Sequence, residues 1–68
     1  MTLTLEQLGG QYLNQSRAVR ERAREVRQRG EKLRGDARIT ARRRYVCLME
    51  IARDMETTGR YLEEYYEN

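Results

Sequence analysis

The sequence predicts an all-α fold, an antiparallel two-helix hairpin with a coiled-coil-like seam, whose expected completion is dimerisation into a four-helix bundle. Three observations predict it. Apolar and small residues recur every seven positions in both halves of the chain. Gly35-Asp36 is the strongest turn signal between those halves. Proline is absent, and the chain is rich in Arg, Glu, Leu and Ala, all good helix formers.

The first helix is expected over about residues 5–34. Thr4 suits the N-cap and Gln7 the N3 position, which together make a capping box. Leu3 and Leu8 flank them as a hydrophobic staple, and Glu6 stands in the first turn, where the helix dipole favours an acid. Gly9-Gly10 opposes this start, costing about 2 kcal/mol relative to two alanines. That cost predicts fraying of residues 1–10, with stable helix from near Gln11. A large row, Leu5, Tyr12, Val19, Val26 and Leu33, then runs beside a small row, Gly9, Ser16, Ala23 and Gly30.

The turn is expected at residues 35–36, where Gly35 suits a left-handed position and Asp36 an N-cap. Gly30 offers a second stopping point, which would leave residues 31–36 as a loop. The second helix is expected over about residues 37–66. Its large row is Leu48, Met55 and Leu62, preceded by Ala41, and its other row is Tyr45, Ala52, Gly59 and Tyr66. Folding the chain about the Gly35/Asp36 boundary pairs Leu5 with Tyr66, Gly9 with Leu62, Tyr12 with Gly59 and Ser16 with Met55. It also pairs Val19 with Ala52, Ala23 with Leu48, Val26 with Tyr45 and Gly30 with Ala41. Most rungs set a large side chain against a small one, which lets helices approach without voids. Each helix is expected to be about 45 Å long.

Sixty-eight residues make one domain, and a core of that size is marginal. One cysteine, Cys47, and no histidine exclude an intrachain disulfide and a structural zinc site. Oligomerisation is the remaining common remedy, so a homo-oligomer is expected. A lone thiol fits a reducing compartment, and no signal peptide or membrane-spanning run is visible. A cytoplasmic protein without membrane association is expected. No catalytic constellation, cofactor fingerprint or small-molecule cleft is legible, so no enzyme and no cofactor are expected.

Net charge is only +3, but it is unevenly spread. Folded as above, the turn half (residues 17–54) has 13 basic and 6 acidic side chains, net +7, and the remainder has 1 basic and 5 acidic, net −4. Arg17, Arg20, Arg24, Arg27 and Arg34 are expected on a face of helix 1 away from the seam. Arg38, Arg42, Arg43 and Arg44 extend the positive field onto helix 2. Such a field suits nucleic-acid phosphates or an acidic protein. The alternative is a solvated face laced with pairs such as Glu25 to Arg29.

A second apolar strip, Ile39, Val46 and Met49, with Leu13 on helix 1, is expected off the seam and available for self-association. Tyr61 and Tyr65 form an exposed i,i+4 pair that suits either a partner or a frayed end. Cys47 is expected on a flank, partly buried and structural.

The segments LEQLGGQYLNQ at 5–15 and RRRYVCLMEIARDMETTGRYLEEYY at 42–66 resemble a group of short helical-hairpin proteins of Gram-positive gut bacteria. Some of these are carried on conjugative or phage-like elements. The resemblance covers most of the chain and implies a helical hairpin and no activity, so no functional residue carries over. The chain is also similar in length to the two-helix sporulation aspartyl-phosphatases. Their Ser-Gln-Glu-Leu-Asp signature is missing, and the corresponding stretch reads Glu56-Thr57-Thr58-Gly59-Arg60-Tyr61-Leu62. The function expected from these residues is a small helical interaction module that self-associates. The alternative is a nucleic-acid-binding accessory protein using the Arg-rich turn half.

Overall fold

The computed structural model describes residues 3–67, with side chains described through Tyr65. Two helices, α1 (Leu5–Gly30) and α2 (Asp36–Glu67), lie antiparallel in a rod of 50 × 20 × 14 Å. The two-helix hairpin expected from the heptad rows is the fold observed.

α1 starts with the capping box. Thr4 Oγ1 accepts from the Gln7 amide at 3.0 Å, and Gln7 Oε1 accepts from the Thr4 amide at 3.0 Å. Two of the orphan donors at the helix start are thereby satisfied. The expected fraying up to Gln11 is corrected: α1 is helical from Leu5 and passes through both glycines. The reason is tertiary. Gly9 is buried against α2, and its packing offsets its poor helix propensity.

The other end of α1 also differs from expectation. The helix stops at Gly30, not near residue 34, and residues 31–35 connect the two helices. Amides of Lys32 and Leu33 bond the carbonyls of Arg29 and Gly30 at 3.2 and 3.0 Å, a tightened last turn that leaves the helix axis. A Cβ on Gly30 would lie 2.8 Å from the Cβ of Ala41, so the helices are pinched together where α1 ends. Gly35 takes φ +64, the left-handed value anticipated for a glycine at the turn. Its carbonyl accepts from the amides of Arg38 and Ile39 at 3.1 and 3.3 Å. The cap position therefore falls on Gly35, and Asp36 stands in the first turn of α2, where the dipole favours its charge. Leu33 and Arg34 lie in the connection, outside both helices.

The seam is built from small residues facing small residues. Gly9, Ser16, Ala23 and Gly30 of α1 and Ala52 and Gly59 of α2 are buried, while every described large seam side chain is only partly covered or exposed. The Ser16 hydroxyl donates to the Ala52 carbonyl at 2.8 Å, and a Cβ on Gly59 or Gly9 would lie 2.8 Å from the other's carbonyl oxygen. The register expected from the turn survives at Gly9 beside Leu62 and at Gly30 beside Ala41. The expected alternation of large against small is corrected in part: it holds at Gly9 against Leu62. Gly59 meets Gly9 and Leu13, not Tyr12, and Ser16 bonds Ala52 one turn away from Met55. Backbones approach most closely when the smallest side chains face each other, and the large rows then flank the seam. The expected partnership of Leu5 with the Tyr66 side chain lies outside the described residues.

Candidate interaction surface

Because the seam is made of small residues, the hairpin is one helix layer thick and presents two broad faces. Contacts across the seam assign the first. Leu13 lies against Gly59, Arg20 pairs with Glu56, and the Arg27 guanidinium carbon sits 5.7 Å from the Tyr45 ring centroid. These residues mark one side of the hairpin, and helical spacing adds Arg17 and Arg24 from α1 and Met49, Arg60 and Glu63 from α2 to it.

This face is electrically mixed. Glu56 bridges two arginines: it pairs with Arg20 of α1 and accepts from Arg60 of α2 at 2.6 Å. Arg20 Nε is buried there without a partner. Two shallow grooves lie along the hairpin. One, of about 280 Å³, is edged by Leu13, Ser16, Arg17, Arg20, Glu56 and Arg60. The other, about 420 Å³ near the connection, has Arg27, Arg38 and Arg42 around Val26, Gly30, Ala41 and Tyr45, with Glu31 at its edge, and so reaches across the seam. The expectation that the arginines stand away from the seam is corrected, because Arg20 and Arg27 reach across it. Arg17, Arg24, Arg38, Arg42 and Arg43 are exposed, and Arg34 projects from the connection, not from a helix. Glu21 lies 3.6 Å from Arg24 and Glu31 3.6 Å from Arg27, whereas the expected Glu25–Arg29 pair is not made.

The second face follows from the first. On α1, Tyr12, Val19 and Val26 share a seven-residue row on the flank opposite Leu13 and Arg20. On α2, Leu48, Met55 and Leu62 share a row opposite Met49 and Glu56, with Ile51 beside them. Both flanks turn to the same side, where Ile51 is 45% exposed and the other six are half-buried. The rows flanking the seam on this side are therefore apolar, while the outer row of Ile51 continues into Arg44 and Thr58 and its counterpart on α1 carries Arg22 and Arg29, all exposed. The heptad rows identified Tyr12, Val19, Val26, Leu48, Met55 and Leu62 and placed them inside the seam; Leu62 does lie against Gly9 and Val26 shares a groove with Tyr45, while the row as a whole flanks the buried small residues. Ile51 stood in neither row and was missed, although it lies three residues from Leu48 and four from Met55.

The strip expected to carry self-association is corrected in part. Leu13 belongs to the seam. Ile39 and Val46 are exposed, but their seven-residue row continues into Arg53 and Arg60, so it stays short. Met49 is half-buried. Tyr61 and Tyr65 are both exposed, with rings 6.3 Å apart and stacked. Cys47 is exposed, not partly buried as expected. Among the described residues, no group of three His, Cys, Asp or Glu is arranged to hold a metal ion, and no helix is long and apolar enough to cross a membrane. Comparison with protein-family models, curated proteins and solved structures finds no match to this chain.

Proposed function

We propose that the hairpin is a small helical protein-interaction module that self-associates, acting in the cytoplasm. The observation that carries this reading is the absence of any fully buried large side chain among the described residues. Burying a Val, Leu, Ile or Met side chain contributes about 1.5–3 kcal/mol, and here that contribution is only partly realised within one chain. A second hairpin laid on the first would complete it. A single free thiol at Cys47 fits a reducing compartment and supports the cytoplasmic placement. Sedimentation equilibrium at tens of micromolar is the test. A concentration-dependent mass above one chain supports the reading, and a fully helical monomer throughout overturns it.

A second reading rests on a separate observation, the groove near the connection with Arg27, Arg38 and Arg42 around it. It makes the hairpin a nucleic-acid-binding accessory protein that tracks phosphates with its basic turn half. Binding to DNA or RNA that weakens steeply with added salt supports this. No retention of either at low salt overturns it.

A further inference from the structure

We infer that the face carrying Val19, Val26, Leu48, Ile51, Met55 and Leu62 is a homodimer interface, and that it takes a second copy of this chain in antiparallel, two-fold arrangement. The inference rests on the self-association proposed above and specifies its surface and geometry.

The choice of face comes from chemistry. The side marked by Arg20 carries Arg17, Arg24, Arg42 and Arg60 around an already paired Glu56, and burying those charges against another copy opposes association. On the opposite side the rows flanking the seam are large and apolar in both helices, none of them fully covered, and the arginines, Arg22, Arg29 and Arg44, stand only at the outer edges.

The occupant follows from size and charge. A side of 50 × 20 Å exceeds the roughly 800 Å² per partner that a stable interface uses. A second identical layer doubles the 14 Å thickness and gives the large side chains a common interior between four helices. A two-fold axis sets the same apolar rows of both copies against each other, the isologous arrangement. Charge then selects the orientation. The turn half, residues 17–54, carries net +7 and the remainder net −4. Laying the copies turn over turn superimposes the two basic ends. Laying them head to tail sets each basic end over an acidic one.

Two measurements test this. Ile51→Glu changes a side chain already exposed in the single hairpin, so the helices remain formed. It is expected to weaken the dimer at least tenfold by sedimentation with the helical circular dichroism signal retained. Ile39→Glu combined with Val46→Glu is expected to leave the dimer intact. If that double variant dissociates and Ile51→Glu does not, self-association stands and the assigned face is wrong. If the unaltered chain is a monomer, both readings fall. For orientation, spin labels are placed on Lys32→Cys in a Cys47→Ser background. Separation near the rod length of 50 Å supports the head-to-tail arrangement, and labels within about half of that overturn it.

Discussion

Gly9 and Gly10 are neighbours in sequence and opposites in the structure. A Cβ at position 9 would lie 2.8 Å from the Gly59 carbonyl oxygen and 3.2 Å from the Leu62 Cβ, whereas one at position 10 would meet nothing within 4 Å. Backbone cannot yield as a flexible side chain can, so Gly9→Ala forces the helices apart at the open end. We expect it to destabilise the hairpin by about 1–3 kcal/mol, the range for overpacking. Gly10→Ala adds a better helix former at an open site and is expected to stabilise by about 0.5–1 kcal/mol. Thermal unfolding of the two variants side by side checks the contrast. Ala23 is 0% exposed, so Ala23→Glu places a carboxylate in a seam with no room and no partner. A loss of about 3 kcal/mol or more is expected, enough to abolish cooperative melting of so small a fold.

For the two helices, the sequence carried the N-terminus of α1 and the left-handed glycine of the turn, because caps and positive φ are local properties. It did not carry the end of α1. Gly35-Asp36 is the stronger local signal, yet α1 ends at the second stopping point, Gly30, where the amides of Lys32 and Leu33 bond to the carbonyls of Arg29 and Gly30 and tighten the turn. The same limit explains the seam. Heptad spacing located both rows, small and large, but not which row faces the partner helix. That depends on how closely the backbones approach, and the Gly9–Gly59 contact decides it for the small row. The cross-helix arginines were hidden for the same reason, since pairing Arg20 with Glu56 requires the true register. Two element-level outcomes follow. Gly35→Ala, at φ +64, is expected to cost about 1 kcal/mol in urea unfolding without changing helix content. Glu56→Gln leaves Arg20 and Arg60 without their shared carboxylate and is expected to cost up to about 1 kcal/mol. Repeating that measurement in high salt separates the parts, since the loss shrinks where the pairs are screened.

At the scale of the whole molecule, the proposed dimer makes stability and association one quantity. A rod whose buried residues are alanine, serine and glycine draws little from its own interior, and its large side chains contribute fully only when covered. Folding linked to dimerisation makes the melting temperature rise with protein concentration, by mass action. A melting midpoint independent of concentration across a hundredfold range contradicts the linkage. The thinness of the rod has a further consequence, in time. In a body 14 Å thick, no helical amide lies deeper than one layer of side chains. The hydrogens on its backbone nitrogens are then released to solvent deuterium wherever a turn opens briefly, and no second layer slows them. An exchange clock read along α1 and α2 would thus run fast in a lone hairpin. It would slow only where another surface lies over the helices, so a map of slow amides would draw the outline of whatever covers them.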